Sequence, residues 1–151
     1  MAICSATTEG ERSCTGAATK TILEIMGDAD VVARLVEFGV SFDGVTPTDA
    51  PVIVELYQIT ASGTGTAATE VAWDRSAKTI QCAVEYNSTV EPTKGSRLAI
   101  WEVHPQAGSL VVQYPLGREP VITNGSASQG LAVVVTPAVT VNAVGYLVWD
   151  E

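Results

Sequence analysis

The 151-residue chain has the length of one domain, and its 46% apolar content excludes a disordered segment. Its net charge of −9, with eight basic residues scattered singly, excludes a phosphate-backbone binder, which needs clustered Lys and Arg. One histidine and three widely spaced cysteines exclude the His-rich metal enzymes and the paired-cysteine zinc sites.

The opening residues, MAICSATTEG, carry neither a positive n-region nor a long apolar h-region, so no signal peptide is expected. Residues 1–17 are expected to form an N-terminal arm or a first strand, ahead of a sandwich domain over 18–151. Cys4, Cys14 and Cys82 are expected to be reduced thiols, as in a protein made in a cytoplasm. The stretch 18–27, ATKTILEIMG, is ambiguous between a helix turn and a strand; its Thr and Ile and the flanking Gly favour the strand.

Residues 32–43 alternate. Val32, Val36, Phe38, Val40 and Phe42 fall on one face, with Arg34 as an exception, and Glu37, Gly39 and Ser41 fall on the other. Further strands are predicted at 51–60, 79–86, 97–104, 109–114, 130–137 and 142–151. Between them lie turn signals at 43–49, 61–67, 74–76, 91–96, 104–109 and 123–130, rich in Gly, Pro, Asn, Asp and Ser. With 21 Val and 17 Thr, this punctuation predicts an all-β, single-domain antiparallel β-sandwich, jelly-roll-like, of about eight to ten short strands. No run approaches the ~18 apolar residues of a membrane-spanning helix. The runs 130–137 and 51–57 are apolar on both faces apart from Glu55. Such strands must be covered on both sides, and a neighbouring subunit is favoured over a loop of the same chain as the second cover.

No chemistry declares itself. His104 precedes Pro105 at a strand end, without the Gly-x-Ser-x-Gly elbow of a hydrolase. Cys82 reads as a buried mid-strand thiol. Asp28 and Asp30 read as turn residues rather than calcium ligands, and the sequons at Asn87 and Asn124 read as turn sequences. Trp73, Trp101 and Trp149 sit in alternating strands, where packing is the expected role. No cofactor is expected.

Three stretches carry a resemblance: RLVEFGVSFDGVTPTDAPVIVELYQIT (34–60), WEVHPQAGSLVVQYPLGREPVI (101–122) and AVTVNAVGYLVWDE (138–151). Together the chain from about residue 17 to the last residue resembles small head proteins of tailed bacteriophages, of the capsid decoration or minor capsid type. The resemblance implies a non-enzymatic virion protein on the capsid surface. Its partners would be the major capsid protein and itself, as a homotrimer, with no nucleic acid and no membrane. The prolines restrict Tyr114 and Glu119 to extended backbone and Gly117 permits a positive φ between them, so 109–122 is expected to be a stiff connection with Arg118 near its tip. Tyr114, Arg118, Glu119 and Trp101 are the expected partner contacts. The alternative reading is a carbohydrate or host-receptor binding module of a phage fibre or tail, with Trp101 or Tyr114 as a stacking platform. A β-fold hydrolase or isomerase ranks third, for want of a catalytic constellation.

Overall fold

Runs of Val, Ile and Thr broken by Gly, Pro and Asp fold as strands from one end of the chain to the other. The computed structural model describes residues 2–74, 79–123 and 129–151, and among these there is no helix. The strands are β1 (Ile3–Thr7), β2 (Arg12–Cys14), β3 (Lys20–Met26), β4 (Ala33–Gly44), β5 (Val52–Ala61), β6 (Thr64–Ala67), β7 (Val71–Ala72), β8 (Ala83–Val90), β9 (Thr93–Val103), β10 (Ser109–Gln113), β11 (Val121–Ile122), β12 (Gly130–Pro137) and β13 (Val141–Asp150). Thirteen strands among the described residues replace the expected eight to ten, because short strands occupy segments too brief to show a period. The Asn124 sequon and most of the turn signals at 74–76 and 123–130 lie outside the described residues.

Two antiparallel sheets pack face to face. The first has the order β10-β4-β13-β1-β7, with β11 also paired to β4 and β2 to β13. The second has the order β6-β8-β3-β12-β5-β9. Residues 3–7 and 12–14 are thus strands of the first sheet, hydrogen-bonded to β13. Between the sheets lie Trp149, Phe38, Leu35, Leu147, Ile22, Leu23, Leu56 and Val133, all at most 1% exposed.

The alternation predicted for 32–43 breaks at Val36. Val148 pairs with Glu37 but Trp149 pairs with Leu35, so Val36 is an extra residue in the ladder. A bulge of this kind flips the faces on either side of it. Ala33 and Leu35 therefore point into the core before it, and Phe38, Val40 and Phe42 after it, while Val32 is exposed. Arg34, the exception to a single period, lies on the outward face of the first half.

The second sheet closes on itself. In a flat sheet β5 and β6 would stand four strand spacings apart, about 19 Å at ~4.8 Å each. Only Ser62 and Gly63 join them, and three Cα steps reach about 11 Å. Glu91 and Pro92 likewise join β8 to β9 across the sheet. Residues 52–67 and 83–103 form one antiparallel ribbon, with Val52 opposite Val103 at one end and Ala67 opposite Glu85 at the other. The ribbon wraps β3 and β12, which pair with each other and with its two strands. Two segments read as turns, 61–67 and 91–96, are consequently mostly strand. Their Gly, Ser and Thr residues belong to the tight bend of the ribbon.

This closure creates a second interior, lined by Met26, Ile59, Ala132, Val134 and Tyr57. It explains why 130–137 is apolar on both faces. The second cover of β12 is the chain's own ribbon, not the neighbouring subunit favoured by the sequence. Glu24 is also sealed in the closed end, fully buried. Its carboxylate accepts hydrogen bonds from Ser62 Oγ and from Gly63 N at 3.0 Å. Glu91 meets the Thr21 N–H at 2.9 Å, and Arg97 meets Glu55 at 2.7 Å.

Candidate partner-contact surface

Segment 114–120 contains two prolines, so two of its backbone positions cannot donate to a ladder. The structure makes it an excursion from one edge strand. β10 and β11 both run antiparallel to β4, on the side away from β13, and 115–119 leaves the ladder between them. Its feet are fixed by Tyr114 N to Val36 O and Leu35 N to Pro120 O, each 2.9 Å, so the excursion lies opposite the Val36 bulge. Arg118 N bonds Pro115 O at 2.9 Å, and Gly117 has φ +83°, the pattern of a type II turn, which needs a residue tolerant of positive φ at its third position. Glu119 accepts from Gly117 N at 2.7 Å. Leu116 is 96% exposed at the tip, and Arg118 is exposed beside it.

The four residues expected to contact a partner separate into two pairs. Arg118 and Glu119 stand on the excursion. Trp101 turns inward from β9 and meets Phe38 edge-on at a centroid distance of 5.5 Å. Tyr114 is half-buried on the same core, and burial raises its phenol pKa. Trp101 is thus partly buried, packed against the core from the second sheet.

Two further aromatic residues, Tyr146 and Trp73, lie on the outer face of the first sheet or at its margin. One row reads Val111, Gly39, Tyr146, Thr7, and the next reads Ser109, Ser41, Val144. The Tyr146 ring occupies the space beside Gly39, where an added Cβ would stand 2.3 Å from its Cε1. The Tyr146 hydroxyl donates to Glu37, and burial together with that bond pushes its pKa up to about 12. Trp73, 62% exposed after β7, donates its Nε1–H to Ser5 Oγ at 2.9 Å. Trp73, expected to pack, is instead exposed; Tyr146 was not distinguished by sequence, although an isolated glycine inside a strand marks a place where something approaches the backbone closely.

The potential catalytic groups are engaged otherwise. His104 Nδ1 is 3.1 Å from Gln106 N. Asp28 Oδ1 accepts from Asp30 N at 3.0 Å, a local turn. Cys82 precedes β8 rather than lying in mid-strand. Burial, reinforced by nearby Glu151, pushes its thiol up to about 12, and burial pushes Cys14 up to about 11. Both are therefore thiols at neutral pH, and the thiolate is the reactive form. No group of three or more potential metal ligands forms among the described residues.

Glutamates instead brace the backbone. Glu9 takes the Thr69 N–H, Glu70 that of Val84, Glu85 that of Gly65, and Glu151 those of Gln81 and Cys82. Glu24 and Glu151 respond to burial with opposite outcomes. At Glu24 burial prevails, helped by the neighbouring charges of Glu85 and Glu91, and the pKa rises from 4.5 despite the bonds from Ser62 and Gly63. At Glu151 burial also pushes upward, but the bonds from Gln81, Cys82 and Trp149 outweigh it and the pKa falls.

The sign of the linkage follows. Glu24 contributes stability that is fully present below its ordinary pKa and is lost as pH rises through its raised folded value. Glu151 contributes above its ordinary pKa and loses that contribution as pH falls through its lowered value. Glu24→Gln keeps an acceptor for Ser62 and Gly63 without the charge. It is expected to melt higher than the parent at neutral pH, with the gap closing at mildly acidic pH. Melts by circular dichroism at both pH values check this, and a loss of equal size at both would contradict it.

No protein-family model, no curated protein sequence and no solved structure matches the chain.

Proposed function

We propose that this protein is a virion structural protein that attaches to a bacteriophage capsid shell by protein–protein contacts, as the resemblance of 34–60, 101–122 and 138–151 implies. The observation that carries the reading is the division of labour among side chains. Buried Glu24 and Glu151 are committed to backbone amides, while the outer face of the first sheet presents small residues with Tyr146, Val144 and Val111, and Trp73 at its margin, beside a stiff excursion. Surfaces that pair exposed Trp, Tyr and Leu with little charge suit recognition of another protein. Trp73, Tyr146, Val144 and Leu116 are the contacts proposed on this side, with Arg118 and Glu119 at the rim.

The test is binding to capsids assembled without the protein. Co-sedimentation that saturates, and that weakens for a double variant Trp73→Ala, Leu116→Ala with unchanged melting, is the expected result. Failure of the folded parent to co-sediment with the shell of the phage or prophage that encodes it would overturn the reading.

A further inference from the structure

The edges of a sandwich decide what it joins, because each open edge presents unpaired N–H and C=O groups. β7 and β11 are two residues long. The ribbon closes much of the second sheet, and β9 carries Lys94, Arg97 and Glu102 along its length. β10 differs: its residues, Ser-Leu-Val-Val-Gln, include no charge, no proline and no bulge.

The bonds of Phe42 N to Gly108 O and of Tyr114 N to Val36 O set the phase of this ladder. Residues 108, 110, 112 and 114 turn their backbone groups toward β4. By the alternation of antiparallel pairs, Ser109, Val111 and Gln113 turn theirs to the open side. The side chains alternate as well. Ser109, Val111 and Gln113 are exposed on the outer face, whereas Leu110, Val112 and Tyr114 are only half-buried against the core on the inner face. The main core is left partly uncovered along this edge.

We propose that β10 pairs with β10 of a second copy of this chain, antiparallel about a twofold axis at Val111, to join the two first sheets into one. Only one register brings all three outward-facing residues of each strand together as hydrogen-bonded pairs: Ser109 with Gln113 of the second copy, Val111 with Val111, and Gln113 with Ser109. That register sets Leu110 against Val112 on the inner face, covering the half-exposed apolar residues. It sets Val111, 60% exposed in the single chain, against its own copy on the outer face. It also lays Tyr114 beside the bare backbone of Gly108. Every facing pair is polar with polar or apolar with apolar, and no like charges meet, although each copy carries a net charge of −9. That neutrality argues for a second copy over a basic peptide, which would find no carboxylate in the strand. The contact is isologous and closes at two copies, unlike the threefold arrangement that the resemblance implies.

The inference does not rest on attachment to a capsid, because pairing is read on the purified chain alone. Sedimentation velocity is expected to give twice the 15.7 kDa chain mass. Val111→Lys places two like charges face to face at the axis. It is expected to weaken the dimer by about tenfold or more while leaving the circular dichroism and melting of the monomer unchanged. Val111→Cys is expected to cross-link two chains when diamide is added as oxidant, since facing Cα atoms of a hydrogen-bonded pair lie about 5.5 Å apart, within disulfide reach. The native Cys4, Cys14 and Cys82 are buried and do not compete. A parent that stays monomeric at high concentration, a trimer, or a dimer untouched by Val111→Lys and not cross-linked through residue 111 would each overturn the proposal.

Discussion

Trp149→Ala is expected to lower the unfolding free energy by about 3–5 kcal/mol, the range for truncating a large buried aromatic. The Trp149 side chain is fully buried, flanked in register by Leu35 of β4 and Cys4 of β1. Its indole N–H also donates to Glu151 at 3.2 Å. The same carboxylate holds Gln81 N at 2.8 Å and Cys82 N at 3.1 Å, so the truncation loosens the approach to β8 as well as the core. Against a typical domain stability of about 5–15 kcal/mol, this is a large share. Urea titration followed by far-ultraviolet circular dichroism should show a lower midpoint at an unchanged slope. Trp149→Phe keeps most of the volume and should fall between the parent and the alanine variant. A loss below about 1 kcal/mol for Trp149→Ala would mean that the site collapses around the gap.

Gly63→Ala is the second change with a large expected effect, about 1–3 kcal/mol or more, as for overpacking against atoms that cannot move aside. A Cβ here would stand 2.4 Å from Val90 O and 3.0 Å from Pro92 N, both backbone. Those atoms belong to the other arm of the ribbon, so the methyl group pushes apart the two arms that close the second sheet. Glu24 lies under the same crossing and would lose its bond from Gly63 N. Amide hydrogen exchange should therefore quicken first in β6 and at the start of β9, ahead of β4 and β13. Uniform quickening across both sheets, or none, would contradict the assignment of Gly63 to the closure.

Much of the fold was legible because burial writes a period into a strand. Residues 52–61, 109–113, 130–137 and 141–150 match predicted runs to within a residue or so. The Val36 bulge was not legible, since one inserted residue reads as noise in an otherwise regular pattern; Arg34 on the wrong face was its trace. The short strands β1, β2, β6, β7 and β11 depend on partners distant in sequence, and nothing local specifies them. The double-sided apolarity of 130–137 correctly signalled two covers, but sequence could not say that the second is the chain's own ribbon. The candidate surface was read less well. The 109–122 stretch was recognised as stiff and exposed at its tip, yet Trp101 and Tyr114 alternate in ways that suit core and surface equally. Trp73 was read as a packing residue and Tyr146 was passed over, because the exposure of a strand residue depends on which sheet face is left open.

The excursion at 115–119 has a practical consequence. Its feet, Tyr114 and Pro120, are tied to adjacent positions of one continuous strand, so the residues between them are not needed to span any distance. Lengthening such a loop costs only about 0.6 kcal/mol for each doubling. Foreign peptides grafted between Leu116 and Arg118 should therefore be carried outward on a fixed base, making this edge a display platform for epitopes or enzyme tags.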